Sequence, residues 1–244
     1  MISSTTASTQ LNEGKPYLFY GHGATNALKI KIMFEELGLD YKFVDVDIFN
    51  DASESKVSFK KIFPNGKVPA IVDYTVSPPL HIFESGAILL YLAAKHGRFL
   101  PDIKSHPAQH ADVLQWLAWQ ISGLGPMNGQ FTYFAVFAPE AVPAAQERYY
   151  KETDRLYSVL DQQLKDKEWI AGGQYSIADM AVYPWAVYIR EGLLPHSEKY
   201  PNVLAWLDRM NKRPVVAKEL PGILAPLPGY IAHLKSKGTY RITQ

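Results

Sequence analysis

With 244 residues, 47% of them hydrophobic, the chain has enough apolar material for one or two domains, and 25 basic against 24 acidic side chains leave a formal net charge of +1. No basic tract marks a nucleic-acid partner, and no segment reaches the ~20 apolar residues of a membrane span. The lack of cysteine removes disulfides, cysteine-ligated zinc and any protein thiol nucleophile, so sulfur chemistry has to arrive with a ligand.

In chain order, residues 1–14 are polar and rich in Ser and Thr, without a basic stretch leading into an apolar one, and are expected to be a disordered tail rather than a secretory signal. Tyr17-Leu18-Phe19-Tyr20 is a short strand bounded by Gly21 and Gly23. Leu28, Ile32 and Leu37, with Met33 and Phe34 beside them, predict a helix from Asn26 that stops at Gly38. A second strand follows over 41–46, and a weaker helix over 53–63. Two more strands are expected at 68–72 and 80–83, then a strong helix over 84–96 with Ile88, Leu89, Tyr91 and Leu92 inward. The order β-α-β-α-β-β-α predicts a thioredoxin-like α/β domain over 15–101. Beyond Pro101 to Pro107 the pattern becomes helical: segments over 108–124, 143–164, 176–189 and 203–211 predict an all-α domain over 107–225. Residues 226–244, with Pro226, Pro228, Gly229 and Gly238, read as an extended tail.

Three places in the first half can carry binding chemistry. In Phe63-Pro64-Asn65-Gly66-Lys67-Val68-Pro69-Ala70 the proline opens a strand without donating to its ladder, and a cis Val68–Pro69 bond would turn the Val68 backbone outward to pair with a peptide ligand. An ordinary trans proline is the alternative. In Phe83-Glu84-Ser85-Gly86, Ser85 stands at an N-cap position where a ligand carboxylate is favoured, and Glu84 can hold an ammonium; a plain cap beside a surface acid is the alternative. Asn26, after Gly21-His22-Gly23-Ala24-Thr25, offers an amide donor at the first helix's start, or simply a cap.

Taken together, Thr25-Asn26, Asn65-Gly66-Lys67-Val68-Pro69-Ala70 and Glu84-Ser85-Gly86-Ala87-Ile88-Leu89 closely resemble the glutathione transferases. Gly123-Leu124-Gly125-Pro126-Met127-Asn128-Gly129-Gln130, Glu147-Arg148-Tyr149 and Tyr175-Ser176-Ile177-Ala178-Asp179 continue the resemblance, over about Lys15 to Leu220, toward the nu class and its fungal nitrogen-regulator-like relatives.

The resemblance implies a cytoplasmic homodimer that takes glutathione as co-substrate, needs no metal, and uses neither nucleic acid nor membrane as partner. Val68 would pair with the cysteinyl unit, Glu84 and Ser85 would take the γ-glutamyl end, Lys67 would lie near the glycyl end, and Arg148 would reach the mouth of the site. Asn26 would direct its amide at the sulfur, with Thr25 and Tyr20 as runners-up. Met127, Phe131, Tyr133, Phe134 and Phe137 form an aromatic-rich stretch that, bordered by Tyr20 and His22, is expected to line the pocket for a small hydrophobic electrophile or a disulfide; ordinary core packing is the alternative for most of them. Ser176 and Asp179 match the family's capping box, with Tyr175 and Met180 as its hydrophobic staple, a folding rather than a chemical motif.

The implied activity is detoxifying conjugation of glutathione, with glutathione-dependent disulfide-reductase or peroxidase side activity. The rival is a non-catalytic glutathione-binding regulator or ligand carrier of the same fold. Two departures stand out: Ala24 replaces the hydroxyl residue common in relatives, and residues 50–55 lack a basic side chain.

Overall fold

The computed structural model describes residues 12–190, 194, 196–224, 229 and 232. Expectations for residues 1–11, and for nearly all of 226–244, therefore lie outside the described residues. Asn12 to Gly14, expected to belong to the leading tail, instead form a turn, in which the Lys15 N–H donates to the Asn12 carbonyl at 2.8 Å and the Asn12 side-chain amide donates back to the Lys15 carbonyl at 3.1 Å. The chain divides into two compact units between Arg98 and Phe99.

The first unit runs β1 (Tyr17–Gly21), α1 (Thr25–Leu37), β2 (Tyr41–Asp45), α2 (Glu54–Ile62), β3 (Ala70–Asp73), β4 (Leu80–Phe83) and α3 (Ser85–His96). Its sheet has the order β2-β1-β3-β4, with β1 parallel to β2 and antiparallel to β3, and β3 antiparallel to β4. This is the thioredoxin-like arrangement.

Strand β1 is buried along its whole length because both faces are covered, and the pleat sends alternate residues to opposite sides. The Tyr17 and Phe19 rings meet Phe34 of α1. Leu18 and Tyr20 join the cluster of Phe59, Phe63, Val46, Ala70 and Val72 on the α2 side. Helix α1 packs against α3, and ends at Gly38, whose φ of 66° is a left-handed conformation that costs glycine nothing. Helix α2 starts from Ser53, whose side chain accepts from the Lys56 N–H. The edge strand β4 is largely exposed.

Asp73 at the end of β3 is fully buried, and accepts from Tyr91, Lys95 and Thr75. Burial would raise its carboxyl, but these donors outweigh burial and hold it below the usual range.

The second unit runs α4 (Pro107–Trp119), α5 (Gly125–Thr132), α6 (Pro143–Leu164), α7 (Ile177–Arg190), α8 (Pro201–Asn211) and α9 (Pro214–Leu224), with π-helical turns at Gln120–Leu124 and Tyr133–Phe137 flanking α5 and a 3₁₀ turn at Ser197–Lys199. The helix expected over 108–124 therefore ends at Trp119 in regular form, and α5 and α9 were not anticipated. Pro107, Pro143 and Pro201 each stand in the first turn of a helix, where a missing N–H costs nothing. Helix α6 packs against α5 and α8, and α7 against α4 and α8.

The start of α7 is held by a buried carboxylate. Asp179 accepts from the Ser176 N–H at 3.0 Å, the Ile170 N–H at 3.1 Å and Trp206 Nε1 at 2.9 Å. The capping box differs in one bond from its expected form: Ser176 Oγ accepts from the Ala178 N–H and donates to Asp179, instead of accepting from the Asp179 N–H. Tyr175 and Met180, the staple pair, are both buried.

Candidate active site

Strand pairing brings two distant motifs together. Ala70 opposes Phe83 across the β3–β4 ladder, so the residues before β3 and those after β4 meet at the same end of the sheet. There Asn65 Nδ2 donates to Glu84 Oε1 at 3.3 Å, joining the Asn65-Gly66-Lys67-Val68 loop to the Glu84-Ser85 turn. The loop is fixed from below by Lys56, a buried α2 lysine that donates to the Gly66 carbonyl at 2.6 Å. Gly66 has φ 61°, a backbone that a side chain here would strain. The Val68–Pro69 bond is cis. Val68 is half-buried against the α2-side cluster, and Lys67 is exposed.

The expected cap of α3 is displaced by one residue. Glu84 is the N-cap, at φ 72° and ψ 117°, and Ser85 is the first helical residue. A non-glycine residue with positive φ is held there only by its surroundings, and such strain gathers at functional sites. The Ile88 N–H reaches back to the Glu84 carbonyl, which leaves the N–H groups of Ser85, Gly86 and Ala87 without an i−4 partner and facing out of the helix end. Glu84 is exposed and Ser85 buried, so the turn presents an accessible acid, held by Asn65, beside an enclosed hydroxyl.

Asn26 is the second residue of α1, half-buried, one position inside Thr25. The N-cap is Ala24, in extended conformation and without a side chain able to cap. Helix dipole and first-turn N–H groups therefore act at this end together with whatever the Asn26 and Thr25 side chains supply. His22, in the preceding loop, meets Asp45 through Nδ1 at 2.9 Å and lies edge-on to the exposed Phe49 ring.

Two sequence candidates belong to packing instead. Tyr20 is 4% exposed, turned by the β1 pleat toward α2, with its ring on Phe59 and Phe63. Its hydroxyl is buried without a hydrogen-bond partner, and burial, then the nearby Tyr74, push its pKa up to about 12. The phenol is thus packed within the first unit's core cluster. Phe131 is 2% exposed, with its ring beside Tyr150 inside the second unit. Met127 and Phe134 are partly buried, Phe134 stacking on Tyr149 at 5.5 Å, and Tyr133 and Phe137 are exposed. Arg148 lies exposed on α6, where its charge helps Arg155 hold the Glu152 carboxyl low.

One residue of this region escaped sequence reasoning. Lys29 of α1 is only 2% exposed, and its ammonium lies 3.4 Å from Ser85 Oγ. Burial lowers its pKa to about 7, against the opposing pull of Glu84. The signal was positional: 29, 30, 33, 34 and 37 form one helical stripe, and Lys29 occupies an apolar slot on it.

Among the described residues no group of three or more His, Asp or Glu is placed to hold a metal ion, and no helix is long and apolar enough to cross a membrane.

A four-stranded thioredoxin-like unit with an acid–serine turn beside a Val-Pro loop, followed by a unit of helices, defines the two-domain plan of the glutathione transferases. Residues 15–94 match the model of the glutathione S-transferase N-terminal domain, and residues 125–214 that of the C-terminal domain. The disulfide-bond oxidoreductase YfcG of Escherichia coli (strain K12) is 44% identical over 200 residues, covering 80% of this chain and 90% of that protein. A glutathione transferase family member from Pseudomonas fluorescens pf-5, solved with two glutathione bound, superposes with a TM-score of 0.79 at 34% identity, covering 91% of this chain and 99% of that one. A glutathione transferase from Pseudomonas putida, solved with one glutathione disulfide per subunit, gives a TM-score of 0.79 at 35% identity over 92% and 99%. The chain belongs to the glutathione S-transferase family.

Proposed function

We propose that the chain binds glutathione in its first unit, stabilises the thiolate at the start of α1, and uses it to attack small electrophiles or to reduce disulfides. The observation that carries this reading is the Asn65–Glu84 contact, which joins the Asn65–Val68 loop to the Glu84-Ser85 turn, so that a loop suited to a peptide and a turn suited to an amino-acid head group adjoin. Val68 would meet the cysteinyl unit, Glu84 the ligand ammonium, and Ser85 with the first-turn N–H groups of α3 its carboxylate. Lys67 serves the glycyl carboxylate. Arg148 is assigned to glutathione by the motif resemblance alone.

The chemistry follows from the missing cysteine. A thiol of pKa ~8.5 is only about 3% ionised at pH 7. Lowering it by ~2 units takes roughly 2.7 kcal/mol. The end of α1 supplies ~0.3–1 kcal/mol, and one hydrogen bond from the Asn26 amide to the charged sulfur ~1.5–3 kcal/mol. Their sum, about 1.8–4 kcal/mol, spans that requirement without a protein base. Asn26 cannot accept a proton, so the thiol proton leaves to water. In conjugation the sulfur lone pair forms the new bond to the electrophilic carbon, and the displaced pair leaves with the substrate's leaving group or, on addition to a polarised double bond, takes up a proton from water. In disulfide reduction the thiolate attacks one sulfur and breaks the S–S bond, expelling the other sulfur as a thiolate; a second glutathione thiolate then attacks the glutathione sulfur of the mixed disulfide, releasing glutathione disulfide and the second thiol of the substrate.

Two neighbours support the reductase branch: YfcG is named a disulfide-bond oxidoreductase, and the Pseudomonas fluorescens structure holds two glutathione. The nu-class and fungal nitrogen-regulator-like motifs, the homodimer and the cytoplasmic setting belong to the same proposal. The test measures retention on immobilised glutathione, then turnover with a disulfide and with an aromatic electrophile. Retention with turnover of either substrate supports the reading. Retention without any turnover turns it into the non-catalytic binding protein, and no retention defeats it.

A further inference from the structure

Lys29 stands one helical turn beyond Asn26, enclosed where α1 packs on α3. Enclosing an ammonium is costly unless it meets compensating groups, and a methionine or leucine would fill such a slot more cheaply. What the lysine reaches is the first turn of α3: Ser85 Oγ at 3.4 Å, with the Glu84 carboxylate near enough to favour its charged form. That turn also holds the outward N–H groups of Ser85, Gly86 and Ala87, and the positive end of the α3 dipole. The Glu84 carboxylate is engaged on its other side by Asn65. Positive potential is thus gathered at Ser85 and negative potential at Glu84, one residue apart. This is the complement of an α-ammonium and α-carboxylate on one carbon.

We propose that Lys29 is a positioning residue of the γ-glutamyl subsite: delivered from behind Ser85, its ammonium orients that hydroxyl and supplies the charge that selects the α-carboxylate of glutathione. The inference rests on the glutathione reading of the site. Lys29 does not touch the sulfur and acts through Ser85 and the field at the α3 terminus. A carboxylate arriving at Ser85 adds a second anion beside Glu84 and keeps the buried ammonium protonated.

Calorimetry on the full chain tests it with two peptides: glutathione, and 4-aminobutanoyl-cysteinylglycine, the same molecule without its α-carboxylate. Lys29→Met is expected to weaken glutathione binding about tenfold or more while changing affinity for the decarboxylated peptide by less than about twofold. Lys29→Gln, which keeps a donor without the charge, is the second variant and is expected to give the same peptide-dependent loss. Equal losses for the two peptides, or no loss in either variant, would overturn the proposal. If the unaltered chain binds neither peptide, the glutathione reading itself fails, an outcome distinct from ligand-independent effects of Lys29.

Discussion

The ammonium of Lys29 lies 3.4 Å from the hydroxyl of Ser85, so the first and last helices of the thioredoxin-like unit meet through a buried charge rather than through apolar contact alone. This has a stability consequence. Burial lowers the Lys29 pKa from an unfolded value of ~10.4 to about 7. In that interval the unfolded chain binds the proton and the folded chain does not, so stability rises with pH from about 7 to about 10 and loses this contribution as pH falls. Lys29→Met should stabilise the ligand-free protein by about 1 kcal/mol or more at pH 7, with an advantage that shrinks toward pH 10. Urea unfolding at several pH values checks it; a pH-independent difference would remove the buried charge from the account.

Asn26→Ala should raise the pKa of bound glutathione by at least about one unit, because a hydrogen bond to a charged sulfur supplies ~1.5–3 kcal/mol and one unit corresponds to ~1.36 kcal/mol. Ultraviolet titration of the bound thiolate reads the shift directly. An unchanged titration would leave the α1 terminus or Thr25 as the source of activation.

Tyr20→Phe should leave that titration unaltered and should stabilise the fold by about 0.5–1 kcal/mol, since it removes a buried hydroxyl with no partner. A thermal melt and a turnover assay on one preparation suffice. Loss of activity with an intact melt would restore the phenol to the chemistry.

Asp179→Ala should cost about 3 kcal/mol or more, because the N–H groups of Ser176 and Ile170 and the Trp206 indole would lose their shared acceptor inside the second unit. Burial lifts the Asp179 carboxyl to about 6, partly offset by those donors. Between an unfolded value of ~3.9 and about 6 the folded chain holds the extra proton, so this group's contribution to stability declines as pH rises through that window. Asp179→Asn, which cannot titrate, should flatten that part of the profile.

The first unit was largely legible because its signals are local. Gly38 ends α1 where a left-handed residue is required, and the 80–83 strand is set off by the Pro78-Pro79 turn before it and the helix after it. The second unit was less so around 120–137. Gly125, Pro126 and Gly129 lie between the expected helices and carry no helical signal of their own, yet Pro126 sits in the first turn of α5, and Asn128 donates to Tyr157 at 2.7 Å. There tertiary packing outweighs propensity. Within the site, the motif residues were visible as types in order, but the cap position at Glu84 depends on a backbone angle that no residue type announces. Lys29 was hidden because a lysine on an amphipathic helix is ordinarily solvent-facing.

The pleat of β1 also limits redesign. Phe19 and Tyr20 are neighbours in sequence, but one points at α1 and the other at α2. A protein engineer wishing to install phenol-driven thiol activation could not simply improve Tyr20. The ring would have to move by an odd number of residues, and such a slip would exchange every inward and outward side chain along the strand. The proposed activation by the Asn26 amide, at the start of α1, needs no such change of register.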